Sequence, residues 1–337
     1  DLQDSVIARL KVMGGLNTSE RRVPQDGRAN VSVKNKDIDL RISTLPTIYG
    51  EKMVIRLLDK SAQFLSRGGI GLDPVNSKRF DHIMRNTSGV ILISGPTGSG
   101  KSSTMSTMIH ELNKETVNLV TLEDPVEFNI DGVNQVQINE KTGMTFANGL
   151  RSILRQDPDV ISVGEIRDGE TAEIAMRAAI TGHLVLSTIH TGDAISTLDR
   201  LVDIGVPPYL TSVALKGIIA QRLVRKVCTA CKKAYEPTDD ELELVGMERT
   251  PGLQFYKGAG CPNCSHSGYK GRVGVFEILI INKDIRKGIV HDADRESFER
   301  FAAADGFVSI AARARAMLTE GLTSVEEAAK AIYSTNE

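Results

Sequence analysis

The sequence predicts an α/β protein with a small α+β unit ahead of it and a cysteine-bearing excursion behind it. Three observations carry that prediction. Residues 95–102 read Gly-Pro-Thr-Gly-Ser-Gly-Lys-Ser, the complete phosphate-loop pattern G-x-x-x-x-G-K-S. The loop is preceded by the apolar run Val90–Ile93, a buried strand by pattern, and followed by a helical stretch, Ser102–Leu112. From Gly89 to about Arg225, apolar runs alternate with helical patterns, as in a mostly parallel sheet covered by helices. The pairs Cys228-x-x-Cys231 and Cys261-x-x-Cys264 then set four thiols at metal-knuckle spacing.

Taken in order, residues 1–60 carry strand-like patterns at Ala29–Lys34, Ile38–Ile42 and Lys52–Leu58, and predict the small α+β domain. Residues 61–85 contain Gly68-Gly69, Gly71 and Asp73-Pro74, which read as a linker. Residues 86–225 are the sheet core, with further strands at Val117–Leu122, Val160–Val163 and Leu184–Ser187. Residues 226–282 form the cysteine subdomain, and residues 283–337 a helical subdomain with helices at Arg295–Ala304, Ile310–Glu320 and Ser324–Tyr333. There is no internal repeat and no low-complexity tract.

Composition narrows the function classes. A chain of 337 residues has room for two or three domains. Its net charge is −2 and its pI about 6.4, which argues against a general electrostatic hold on nucleic acid. No apolar run reaches the ~18 residues of a membrane span. No signal peptide is visible, and Asp1 is not an initiator residue, so the chain reads as part of a longer protein.

The phosphate loop states its own chemistry. Its glycines let the backbone turn and bring N–H groups against a polyphosphate. Gly95, Pro96, Thr97, Gly98, Ser99, Gly100, Lys101, Ser102 and Ser103 are therefore the predicted nucleotide contacts. Lys101 reaches the β- and γ-phosphates of ATP, and the Ser102 hydroxyl is a Mg²⁺ ligand. Three further strand ends carry polar groups. Glu123, Asp124 and Glu127 follow an apolar strand, Glu165 follows Val160–Val163, and His190 follows Leu184–Ser187. At the carboxyl ends of sheet strands such groups face a bound nucleotide. Glu165 and Glu127 are both candidates for organising Mg²⁺ and the attacking water, with Glu165 expected to serve the metal and Glu127 to lie near the γ-phosphate. His190 is placed to contact the γ-phosphate.

Four thiolates suit a structural Zn²⁺. The stretch between the pairs, Lys232–Gly260, is longer than the roughly 15–20 residues of a compact ribbon, so it forms an excursion. Its Pro, Lys and Gly content supplies few core side chains, which predicts a protruding subdomain pinned by metal. Two redox pairs, or unrelated buried cysteines, are the competing readings.

Together the phosphate loop, the aspartate box Thr121–Glu127, the Gly164-Glu165-Ile166-Arg167-Asp168 box and the histidine box Gly182–Thr191 resemble the secretion ATPase superfamily, namely the type II secretion and type IV pilus assembly ATPases. The resemblance covers nearly the whole chain. It implies a PAS-like N-terminal domain, a RecA-like ATPase domain, a homo-hexamer and work on an inner-membrane platform protein. The protein would then sit at the cytoplasmic face of the inner membrane, attached through partners and without nucleic acid. It also implies that Arg41 and Arg56 bring positive charge to the γ-phosphate. The tetracysteine segment resembles the extension and type II secretion branch. Gly192 departs from the family, which commonly carries Asn there. Pilus extension and type II secretion stay undivided by sequence, as do the platform partner, the firing order around a ring and any cyclic-dinucleotide regulation. A RecA-like nucleic-acid motor and a nucleotide-gated scaffold are the alternative classes.

Overall fold

The computed structural model describes residues 2–33, 36–59, 66–127 and 129–333. Lys34, residues 61–65 and residues 334–337, which fell within predicted segments, lie outside them. The chain divides into two compact units, residues 1–64 and 65–337.

The first unit is helix α1 (Leu2–Met13) and a three-stranded antiparallel sheet in the order β1 (Gln25–Val33), β2 (Lys36–Thr47), β3 (Gly50–Asp59). On β2, Leu40, Ile42 and Thr44 are buried and the intervening Arg41 and Ser43 are not, the period-2 pattern of a sheet covered on one face. Lys11 of α1 is buried, donates to the Glu20 carbonyl at 2.7 Å and pairs with Glu51.

The second unit opens with α2 (Arg67–Ile70) and α3 (Pro74–Met84), where a linker was predicted. The punctuating residues were read correctly, but their role was not. Gly71 is a left-handed helix cap at φ 96°, and Asp73 caps the amides of Val75 and Asn76 with Pro74 in the first turn. Phe80 and Ile83 of α3 are fully buried.

A seven-stranded sheet follows. Its first five strands are β4 (Gly89–Ser94), β5 (Leu119–Glu123), β6 (Asn134–Gln137), β7 (Val160–Val163) and β8 (Leu184–Ile189). They alternate with α4 (Lys101–Leu112), α5 (Phe146–Ile153) and α6 (Gly169–Ile180). Helices α7 (Ser196–Asp203) and α8 (Pro208–Ala214) lead to β9 (Leu215–Val227). The cysteine segment holds β10 (Lys232–Tyr235), α9 (Asp239–Val245) and β11 (Phe255–Gly258). It returns through β12 (Tyr269–Ile280) to α10 (Lys283–Val290), α11 (Arg295–Ala304), α12 (Ile310–Thr319) and α13 (Val325–Tyr333).

The spatial order is β12-β9-β4-β8-β7-β5-β6, parallel throughout except for the antiparallel β12–β9 pair. Each central strand feeds two cores. Ile91 and Ile93 of β4 pack with Phe80, Met105 and Met108 on one face, and Val90 and Leu92 join Met176, Leu210 and Leu215 on the other. Burial on both faces is why these strands read as continuous apolar runs.

One predicted boundary and one expectation about burial are corrected. Strand β12 belongs to the central sheet, so the cysteine segment is an insertion between two paired strands and ends before Tyr269. That insertion is also better buried than its composition suggested: Leu242, Val245 and Phe255 are part of the main core.

Arg79 of α3 shows why the predicted linker is structural. It is 7% exposed, and its guanidinium donates to the Ile278 carbonyl (2.7 Å), the Asp305 carbonyl (2.6 Å) and the Asp305 carboxylate (2.9 Å). Arg79→Ala strands the buried Ile278 carbonyl and frees two part-buried Asp305 acceptors, and is expected to lower the unfolding free energy by about 1–3 kcal/mol in denaturant titration. A loss under about 0.5 kcal/mol would show that α3 is not an integral part of the unit.

Candidate nucleotide and metal sites

The phosphate loop leaves β4 and enters α4. Gly95, Gly98 and Gly100 sit at φ 143°, 80° and 91°, conformations that side chains disfavour. A Cβ at Gly95 would lie 2.5 Å from the Gln221 carbonyl and 2.6 Å from Ser99 Oγ, so that glycine is also forced by contact. Gln221, buried on β9, donates its side-chain amide to the Ser99 carbonyl at 2.7 Å and clamps the loop from the neighbouring strand. The Lys101 ammonium donates back to the Gly95 and Pro96 carbonyls at 2.7 and 3.1 Å. Burial holds its pKa below the ordinary lysine value, with the Glu165 charge opposing the shift.

A cavity of about 240 Å³ opens beside Lys101 and Ser102, and the predicted acids and histidine converge on it: Glu123, Glu127, Glu165 and His190. The strand ends that deliver them are stitched together. Gly164 N–H donates to Leu122 O (2.8 Å), Ile166 N–H to Thr188 O (2.8 Å), and the Ser187 and Thr188 hydroxyls to Val163 O and Gly164 O (2.8 and 2.7 Å). Glu123 is fixed by the Thr121 hydroxyl at 2.6 Å and the Gln135 amide at 2.9 Å. Glu165 pairs with Arg167 through one oxygen and stands 3.6 Å from His190 Nε2 through the other. Of the predicted loop contacts, Pro96, Thr97, Gly98, Ser102 and Ser103 are exposed; Lys101 and Ser102 line the cavity, and Gly95 to Gly100 and Ser103 do not.

Sequence reading missed Gln221 and Arg28, the third arginine in a row with Arg41 and Arg56. Arg28 pairs in register with Arg41, and Arg41 with Arg56, so three guanidinium side chains share one sheet face. They line a second cavity of about 500 Å³ with Asp26 and Ser43. The signal for Gln221 was present: a Gln-Arg pair interrupts the apolar run from Ile218 to Val224.

The four cysteines meet in space. Their sulfurs all lie within 4.8 Å of one another, with Cys228–Cys261 and Cys231–Cys264 at 3.9 Å and Cys261–Cys264 at 3.7 Å. Four ligands at the Zn–S distance of 2.3 Å stand about 3.8 Å apart at a tetrahedron's edges, so the donor set fits zinc. The Cys261 and Gly268 amides donate to Cys264 Sγ at 3.2 and 3.3 Å. Burial works against the Cys264 thiolate, but these amides outweigh it and bring the thiol down to about 6.

A family profile described as "Type II/IV secretion system protein" matches residues 1–330. The chain belongs to this family. Within it, the chain is 44% identical over 327 residues to type II secretion system protein E of Pseudomonas aeruginosa, covering 97% of this chain and 65% of that protein. It is likewise 44% identical to the type II secretion system ATPase E of Vibrio cholerae (97% and 65%) and to the type IV pilus assembly ATPase PilB of Thermus thermophilus (96% and 37%). The chain thus spans just under two thirds of the length of the type II relatives. The pilus retraction motor PilT, solved with bound ADP, superposes with a TM-score of 0.66 at 30% identity over 92% of this chain and 78% of its own. The DotB ATPase of Yersinia pseudotuberculosis shares the fold, with a TM-score of 0.70 at 23% identity over 97% and 82%.

His190 reports on the electrostatics of the nucleotide cavity. Burial and the Lys101 charge lower its pKa, against the pull of Glu165. Its ring protons, followed by NMR, are expected to titrate below the 6.5 of a free imidazole, leaving His190 neutral at pH 7. Glu165→Gln removes the opposing charge and should move the midpoint further down. A wild-type midpoint above 6.5 would mean that the Glu165 pairing dominates.

Proposed function

We propose that the chain is the motor portion of a pilus-extension or type II secretion machine, hydrolysing ATP at the cavity beside the phosphate loop. The convergence of Lys101, Ser102, Glu123, Glu127, Glu165 and His190 on one cavity carries this reading. The names of the relatives, two of them ATPases, support it.

In this reading the loop amides and Lys101 bind the β- and γ-phosphates of ATP. Mg²⁺ bound there would neutralise phosphate charge, held by the Ser102 hydroxyl with Glu165 nearby. Glu127 and Glu165 orient the attacking water, and Glu123, fixed by Thr121 and Gln135, keeps the cavity wall negative. Neutral His190 offers a hydrogen bond to the γ-phosphate. Arg41 and Arg56, joined in register by Arg28, supply the positive charge that the family resemblance implies for the γ-phosphate. The tetracysteine site holds a structural Zn²⁺, since four thiolates leave no open position. The working form is a homo-hexamer on an inner-membrane platform protein, at the cytoplasmic face. In the described residues no helix is long and apolar enough to cross a membrane, which accords with attachment through partners. The division proposed is a PAS-like domain, a RecA-like core carrying the cysteine insertion, and C-terminal helices.

Lys101→Ala removes a charge-assisted contact that strengthens in the transition state. ATP turnover, measured as phosphate release, should fall at least about a hundredfold. Near-normal turnover in this variant would remove the site assignment.

Elemental analysis of unchelated protein should return close to one zinc per chain. Cys261→Ser should lower that value and loosen residues 228–264 to proteolysis while ADP binding persists. Wild-type protein carrying well under one zinc would overturn the metal assignment.

A further inference from the structure

Two charged side chains lie buried on neighbouring strands, outside the nucleotide cavity. Arg222 of β9 is 4% exposed and Glu277 of β12 is 3% exposed. The Arg222 guanidinium donates to the Gln221 carbonyl at 3.1 Å and to the Gly192 carbonyl. Each Glu277 oxygen serves a different segment. Oε1 accepts the Ala194 N–H at 2.7 Å, and Oε2 accepts the Ile310 N–H at 2.8 Å. Between them, Asp193 accepts from Arg295 of α11 and from the Ser196 N–H, both at 2.7 Å.

The loop 191–195 follows His190 directly, and β9, β12 and α11 all grip it. Glu277 is the group that joins this loop to α12. Ile310 is the first residue of α12, and its N–H has no partner within the helix. An apolar residue of similar volume would cost less desolvation at this depth. Burial indeed pushes the Glu277 carboxyl up to about 7, against the two amides that favour its charged form. What holds the acid there is the pair of amides it accepts from, one on the loop after His190 and one at the start of α12. The grip also continues to the phosphate loop, because Gln221, whose carbonyl Arg222 binds, holds Ser99.

We propose that Glu277 is a positioning residue that ties the loop after His190 to the start of α12, so that nucleotide occupancy at the cavity is transmitted to the C-terminal helices. This rests on the nucleotide-site reading above. A group that merely capped α12 would stabilise the helix without making it respond to nucleotide.

Hydrogen–deuterium exchange on the full chain, with and without ADP and Mg²⁺, separates the two roles. In the wild type, ADP should slow exchange at residues 95–102 and also at 309–312. In Glu277→Gln, slowing at 95–102 should persist while the response at 309–312 shrinks by about fivefold or more. In the same variant kcat should fall with KM nearly unchanged. Arg295→Ala releases the same loop from a half-exposed side chain and should weaken the 309–312 response in the same direction, even if Glu277→Gln fails to fold. A full 309–312 response in either folded variant overturns the proposal, as does a wild type that responds at 95–102 alone. If ADP leaves 95–102 unchanged, the nucleotide-site reading fails and the proposal falls with it.

Discussion

Strands buried on both faces can offer polar chemistry only where they end. In this protein β4, β5, β7 and β8 are parallel neighbours in the central sheet, buried almost throughout. Their carboxyl ends therefore lie side by side along one edge. The phosphate loop, Glu123, Glu165 and His190 are what the chain places there. Hydrogen bonds between adjacent strand ends, such as Thr188 to Gly164 and Gly164 to Leu122, hold these groups in fixed relation. Everything proposed about nucleotide chemistry depends on that alignment.

The antiparallel β9–β12 pair extends the constraint away from the cavity. Gln221 and Arg222 are adjacent on β9, so they point to opposite faces of the sheet. One holds the phosphate loop and the other holds the loop after His190. Because β9 and β12 are paired strands of the sheet, the cysteine segment between them is a loop drawn out from one edge of the core. Its four sulfurs close the base of that loop, and Leu242, Val245 and Phe255 seat it against the main core. Apolar contact thus holds a segment that its composition alone would leave loose, and the four sulfurs are spaced to accept a metal at its base.

Much of this was legible in the sequence because its signals are local. The phosphate loop needs only adjacent residues, and fully buried strands announce themselves as unbroken apolar runs. The spacing of each cysteine pair reflects the reach of two thiols to one ion. What escaped was tertiary. Gly71 and Asp73-Pro74 punctuate a helix cap as readily as a linker, and only the packing of Phe80 and Arg79 decides between them. Strand β12 lies far along the chain from the strand order it completes. Arg28 joins the two arginines named from the sequence, Arg41 and Arg56, only through register across three strands. Glu277 is a single acid in an apolar run, and its partners, Ala194 and Ile310, are distant in sequence.

The central claim is that the polar strand ends form one nucleotide site. A crystal structure with a non-hydrolysable ATP analogue and Mn²⁺, the metal located by its anomalous signal, tests it most directly. The account predicts the phosphates on the amides of residues 98–102 within hydrogen-bond reach of Lys101, with the metal at Ser102. Nucleotide bound elsewhere would contradict it, and so would Glu165 and Glu127 both lying more than about 8 Å from the γ-phosphate and its metal.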